Sequence, residues 1–283
     1  MRTRNVHGVQ VPAFFYGTAW KEARTEELSR LALGVGFRAI DTANQRKHYV
    51  EEAVGDAVAA VLGSIAITRE ALFLQTKFTS PDGQDERIPY DTKQSPALQV
   101  RQSFESSLSH LGTSYVDAYV LHGPVSRSGL AAADWGAWRA MEALQREQRA
   151  RFIGVSNVSL EQLTLLCRDA DIKPAFVQNR CYARTGWDRR VRALCAQHDI
   201  VYQGFSLLTA NAREVAGPVV ARIAQRTGRS PAQVVFRFAL EVGMIPLTGT
   251  SSAAHMREDL GAFDFELTDA DVRAIERLGP GAD

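Results

Sequence analysis

The chain has 283 residues, 45% of them hydrophobic and 23% charged, with a formal net charge of +1. This is the composition of an ordinary globular chain able to bury a large core, and the near-neutral balance argues against a broad basic face for nucleic acid or anionic membrane. The opening MRTRNVHGVQVPAFF has no apolar run of signal-peptide length, and nowhere do about 18 apolar residues follow one another, so no membrane span is expected and a cytoplasmic location is.

In chain order, NVHGVQVPA alternates around His7-Gly8 and predicts a β-hairpin. Short apolar runs then alternate with longer amphipathic stretches. The runs are FFYGT (14–18), FRAIDTA (37–43), LFLQTKF (72–78), VDAYVLHG (116–123), FIGVSN (152–157), AFVQNR (175–180), IVYQGFS (200–206) and MIPLTGT (244–250). Between them lie segments such as TEELSRLALGVG and SPALQVRQSFESSLSHLG, whose apolar residues recur at three and four and which end in glycine, as helices do. Eight strand-helix units with no linker predict one domain over residues 1–283, a (β/α)₈ TIM barrel whose floor is capped by the hairpin. No GxGxxG follows the first strand, which argues against an open dinucleotide-binding sheet. Two segments exceed the repeat: 79–94, a polar loop, and 207–231, a loop with an extra helix.

Cys167, Cys181 and Cys195 are sparse and lack CxxC spacing, so neither a disulfide framework nor a metal site is expected. Chemistry is expected instead where barrel strands end, because side chains there line the mouth. The second, third and fourth runs carry Asp41, Lys77 and His122 at that point. An acid, a base and an imidazole on adjacent strands can converge within hydrogen-bonding reach. Each alone reads first as a structural ion pair or a satisfied histidine, but the three together point to catalysis.

The motifs GFRAIDTA with EEAVG downstream, LQTKF, VLHG, FIGVSN and VQN occur in an order that resembles the aldo-keto reductases, from about residue 7 to 278. The resemblance implies hydride transfer from a nicotinamide cofactor to an aldehyde or ketone, with Asp41, Lys77 and His122 in the catalytic tetrad. The fourth member is a tyrosine, usually five residues after the Asp, where this chain has Arg46, which cannot donate a proton at neutral pH. IDTANQRKHYVEEAVG offers two replacements. Counting back from Val54-Gly55 favours His48; residue type and a modest insertion favour Tyr49, the preferred proton donor. A phenol can protonate the developing alkoxide if its pKa is brought down, and the Lys77 ammonium is expected to do this while Asp41 fixes the lysine. His122, neutral, would orient the carbonyl oxygen.

The resemblance also implies a cofactor site. Ser156, Asn157 and Gln178 match positions that hold the nicotinamide carboxamide, and Phe205 the ring that stacks on it; Thr18 and Asp41 match ribose contacts, and Ser206 with Leu208 begins the loop over the pyrophosphate. NADPH is the first choice, with NADH use open, because the adenosine end departs from the family pattern: Gly249 and His255 stand where a lysine and an arginine clamp the 2′-phosphate, followed by Asp259. Thr250, Ser251 and Ser252 still offer hydroxyls and helix N-terminal amides, and Arg257 is a neighbouring cation. A histidine contact to the phosphate, with an ordinary pKa of about 6.5, would strengthen NADPH preference as pH falls.

Trp20 and His48 are expected at the substrate pocket with His122; Trp187 is a further candidate for the mouth, Tyr119 has no assigned place, and Tyr90 and Arg87 in the 79–94 insertion are candidates for substrate contact against a plain surface-loop reading. The short segment after TDADVRAIERLG predicts an open, permissive site. The expected partner is a small carbonyl compound, with the chain a monomer or weak oligomer. Two other readings stay open: a catalytically silent nicotinamide-binding regulatory subunit, and a barrel lyase using Lys77 as a Schiff-base nucleophile.

Overall fold

The computed structural model describes residues 2–64 and 67–279. The hairpin is β1 (Thr3–Val6) and β2 (Val9–Pro12), paired antiparallel with Val6 opposite Val9. His7 and Gly8 between them both take positive φ, 46° and 87°, the two-residue turn whose twist matches a hairpin.

The strands that follow are β3 (Phe15–Gly17), β4 (Ala39–Asp41), β5 (Phe73–Phe78), β6 (Val116–Leu121), β7 (Ala150–Ser156), β8 (Phe176–Arg180), β9 (Val201–Phe205) and β10 (Ile245–Thr248). They fall within the eight apolar runs of the sequence, β7 alone starting two residues early, and hydrogen-bonded neighbours run β10-β3-β4-β5-β6-β7-β8-β9 in a closed barrel. The helices are α1 (Thr25–Val35), α2 (Glu51–Ser64), α3 (Pro96–Leu111), α4 (Ala132–Arg146), α5 (Leu160–Asp169), α6 (Arg189–Gln197), α7 (Ala212–Val215), α8 (Pro218–Thr227), α9 (Pro231–Glu241), α10 (Ala253–Leu260) and α11 (Asp269–Glu276). No helix among the described residues is long and apolar enough to cross a membrane.

Helix ends obey local chemistry. Helix α1 buries Thr25, Leu28, Ser29, Ala32 and Leu33, one stripe at three-and-four spacing, and stops at Gly36, whose φ of 126° favours glycine. Ser95 caps α3 by accepting from the Leu98 amide, Pro96 opens it, and Gly112 closes it in the left-handed region. The extra segment at 207–231 holds α7 and α8, as expected of a loop with an added helix.

By internal contacts the chain forms two compact units. The mid-chain unit, Tyr16–Val177, has its core in strands buried on both faces; Phe73, Phe152 and Phe176 from β5, β7 and β8 pack with ring centroids 5.5–6.4 Å apart. Removing one such ring typically costs about 3–5 kcal/mol. The terminal unit, Met1–Phe15 with Gln178–Asp283, packs Phe14 on Phe236 and Trp187 on Phe238. Trp187 is fully buried there and its Nε1 donates to the Ile275 carbonyl at 2.9 Å. It is a core residue, not the wall of a mouth: a large ring with a satisfied N–H is best housed inside. The three cysteines are buried.

Candidate active site

All four residues of the expected tetrad lie in the mid-chain unit. Asp41 is the last residue of β4 and pairs in register with Gln75 of β5. Lys77 is two residues further along β5, so its side chain leaves the strand on the same face as Gln75. The Lys77 ammonium donates to Asp41 Oδ1 and Oδ2, at 2.7 Å each, and to the Thr42 carbonyl at 2.8 Å. Three N–H donors meet three acceptors. Gln75 Nε2 donates to Asp41 Oδ1 at 2.7 Å. Burial pulls the Lys77 ammonium below its ordinary pKa, opposed by the Asp41 carboxylate.

His122 directly follows β6. Its amide donates to the Phe78 carbonyl at 2.8 Å, its carbonyl accepts from Asn157 Nδ2 at 2.7 Å, and its Nδ1 lies 2.7 Å from Thr79 Oγ1. Burial, then the Lys77 charge and His48, push the imidazole down to about 3, so the ring is neutral at working pH, as expected.

The rebuilt loop between β4 and α2 separates the two candidate proton donors. The Tyr49 ring lies 5.3 Å, centroid to Nζ, from Lys77 and meets the His122 ring edge-on with centroids 5.9 Å apart. The His48 ring instead stacks on Trp20, centroids 3.7 Å apart at 35°, and the Trp20 amide donates to the His48 carbonyl at 2.8 Å. Trp20 takes a positive φ of 61° and is 66% exposed, so this pair presents an aromatic wall to solvent. Burial lowers the His48 pKa. Arg46 pairs with Glu52.

One electrostatic expectation is reversed. Tyr49 is pushed well above the ordinary tyrosine value, by burial first and then by the Asp41 carboxylate, where the sequence predicted a depression by Lys77. The Lys77 charge is already matched by Asp41, so the phenol feels the low dielectric and the carboxylate more than the ammonium.

The 79–94 segment is tied to the same loop. Gln45 Nε2 donates to the Gly83 carbonyl at 2.6 Å, Gln84 Nε2 to the Asn44 carbonyl at 2.9 Å, and Arg87 to the Arg46 carbonyl at 2.9 Å. Tyr90 is buried, donates to the Thr79 carbonyl at 2.7 Å and packs on Phe78, so its role is to anchor the segment rather than to meet a substrate. Tyr119 is likewise buried, packed edge-on against Phe104. Sequence reasoning missed Gln75 and Thr79. The period of two along β5 pointed to Gln75, whereas nothing in the sequence marked Thr79.

Of the residues matched to a cofactor site, Ser156 ends β7 buried and accepts from Asn157 Nδ2 at 3.1 Å, and Asn157 takes a positive φ of 52°. Thr18 is buried and its hydroxyl donates to the Asp41 carbonyl at 3.0 Å. In the terminal unit, Gln178 Nε2 donates to Gln203 Oε1 at 3.0 Å; Phe205, Ser206 and Leu208 are partly exposed. Ser252 caps α10 by accepting from the His255 amide, Thr250 is partly exposed, and Ser251, His255 and Arg257 are exposed. Asp259 is buried, accepts from Thr248 Oγ1 at 2.7 Å, and is raised to about 6, chiefly by burial.

Residues 14–280 match the model of the aldo/keto reductase family. An uncharacterized oxidoreductase of Bacillus subtilis, YtbE, is 32% identical over 98% of this chain and 94% of its own length. The methylglyoxal reductase DkgA of Yersinia pestis is 31% identical over 91% and 84%, and a glyoxal reductase of Bacillus subtilis is 30% identical over 98% and 94%. Among solved structures, an aldo/keto reductase from Brucella melitensis superposes with a TM-score of 0.82 at 28% identity, covering 98% of both chains. An aldo-keto reductase of Bombyx mori, solved in complex with NADP, shares the fold with a TM-score of 0.82 at 23% identity over 99% and 92%.

Proposed function

Because this chain belongs to the aldo/keto reductase family, whose chemistry is NAD(P)H-dependent carbonyl reduction, we propose that it reduces small aldehydes with NADPH and that Tyr49 is the proton donor. The observation that carries this reading is the grouping of the Tyr49 ring with the Asp41-clamped Lys77 and a neutral His122.

The residues present fit the cofactor by the chemistry of their donors. Ser156, Asn157 and Gln178 carry a hydroxyl and amides suited to a carboxamide, Phe205 offers a ring face, and the hydroxyls of Thr250 and Ser251 with the amides opening α10 suit phosphate. These residues would hold the dinucleotide, with Thr18, Asp41, Ser206, Leu208, His255 and Asp259 as the further proposed contacts. A bound reduced nicotinamide supplies the hydride. Tyr49 keeps its proton at working pH, because burial and Asp41 hold its pKa high, and surrenders it only to the strongly basic oxygen that hydride addition creates. His122 orients that oxygen, while Asp41 and Gln75 hold the buried Lys77 ammonium in place beside the Tyr49 ring.

The names of two relatives, glyoxal and methylglyoxal reductases, support small aldehydes as first substrates, and the exposed Trp20-His48 wall supports aromatic ones. NADPH-dependent reduction of methylglyoxal and 4-nitrobenzaldehyde by the purified chain tests the reading. Firm NADPH binding without turnover across an aldehyde panel would refute it. For the cofactor, His255→Arg should raise the preference for NADPH over NADH, since a permanent cation at the 2′-phosphate adds about 1.5–3 kcal/mol.

A further inference from the structure

We propose that Thr79 is a positioning residue that fixes the tautomer of His122, setting its Nε2 as the N–H donor toward the substrate oxygen. The proposal rests on the carbonyl-reduction reading and adds to it the group that makes His122 a donor.

Thr79 directly follows β5 and is 4% exposed. Its Oγ1 has one partner among the described residues, His122 Nδ1 at 2.7 Å. Two arrangements are possible across that contact. If Nδ1 carried the proton and donated to Oγ1, the threonine hydroxyl proton would be left inside the protein without an acceptor. A buried hydroxyl that cannot donate is costly, because it has given up its water partners and gained nothing in return. If the hydroxyl donates to Nδ1, its proton and the nitrogen lone pair are both satisfied. The imidazole proton then sits on Nε2. A neutral ring has one N–H, and a carbonyl oxygen needs a donor, so this is the tautomer that serves reduction.

The rest of the surroundings leave Thr79 little freedom to turn away. Its own carbonyl accepts from Tyr90 Oη at 2.7 Å and from Gln84 Nε2 at 3.4 Å, which hold the strand end against the 79–94 segment. The backbone of His122 is fixed by the Phe78 carbonyl and the Asn157 amide. The backbones that carry both partners of the Thr79-His122 hydrogen bond are therefore held by independent contacts, and the anchored segment holds the strand end from which Thr79 reaches the imidazole.

The test is ¹⁵N NMR of histidine-labelled protein, with His122 assigned by comparison with His122→Asn. In the wild type, the Nδ1 resonance should be that of an unprotonated acceptor and Nε2 that of an N–H; the reverse assignment overturns the proposal without any Thr79 variant being made. In Thr79→Val, similar in shape but without a donor, the ring should shift toward a mixture of tautomers and kcat should fall on the order of 10-fold or more, with KM for the aldehyde changed less. Thr79→Ser should restore the wild-type tautomer and most of the rate. Unchanged His122 resonances in a folded Thr79→Val overturn the proposal. Because the NMR result does not depend on turnover, a wild type with the Nε2–H tautomer but no reductase activity would refute the functional reading and leave the Thr79 assignment standing.

Discussion

Lys77 donates to both carboxylate oxygens of Asp41 at 2.7 Å, and neither side chain is more than 5% exposed. A buried pair of this kind is stabilising mainly in the sense that neither member can be removed alone. Lys77→Met should leave the carboxylate uncompensated and cost about 3–5 kcal/mol of stability in urea unfolding, besides abolishing reduction. Lys77→Met combined with Asp41→Asn should recover much of the stability and none of the activity. Additive losses in the double variant would show that the two side chains do not act as a pair.

Tyr49 and His48 are neighbours in sequence but face different partners, Lys77 with His122 and Trp20 respectively. Tyr49→Phe should lower kcat on the order of 10²-fold or more while NADPH binding persists. His48→Gln should act mainly on KM for aromatic aldehydes, through loss of the stacked wall. A large kcat loss in His48→Gln with an active Tyr49→Phe would reverse the assignment of the acid.

With its imidazole pushed down to about 3, His122 contributes no ionisation across the physiological range. The profile of log kcat/KM should therefore show no step near the ordinary histidine value of about 6.5 that disappears in His122→Asn. Such a step would mean that His122 is charged in the working enzyme.

Asp259, held by Thr248 and raised to about 6 by burial, gives a stability signature of known sign. Its folded pKa lies above the unfolded value of about 3.9, so the ionised form is penalised at neutral pH. That penalty fades as pH falls through about 6 and is gone below about 4. Asp259→Asn, which keeps a carbonyl acceptor for Thr248, should be more stable than wild type at pH 7.5 by up to about 3 kcal/mol. Denaturant curves of the cofactor-free proteins should converge near pH 4; a constant difference would show that Asp259 does not titrate between the two values.

Gly55 sets the approach of α2 to α3: a Cβ there would lie 1.9 Å from the His110 carbonyl oxygen. Backbone cannot yield as a flexible side chain can, so Gly55→Ala should cost about 1–3 kcal/mol in urea unfolding. Gly34→Ala, with open space around the added methyl, is the control and should be neutral or slightly stabilising.

The barrel elements were legible because each is a local pattern. Apolar runs locate the strands, three-and-four spacing with Gly36 and Gly112 ends α1 and α3, and polar residues at the ends of β4, β5 and β6 mark Asp41, Lys77 and His122. Those signals depend on neighbours within a turn or two of chain, and the sequence alone determined them.

The tertiary structure decided what depends on residues distant in sequence. Residue type and counting pulled in opposite directions over Tyr49 and His48; only the folded loop shows which ring lies beside Lys77. Trp187 and Tyr90 read as candidates for the mouth because large aromatics look alike in a sequence, yet one is enclosed by Phe238 and the Ile275 carbonyl and the other is pinned to the Thr79 carbonyl. The direction of the Tyr49 shift required knowing that the Lys77 charge is already matched by Asp41. Thr79 carries no sequence signal at all, since its hydroxyl gains meaning only from an imidazole 43 residues away. Backbone pattern is written locally, whereas hydrogen-bond partnership and local dielectric exist only once the strands and loops have been brought together.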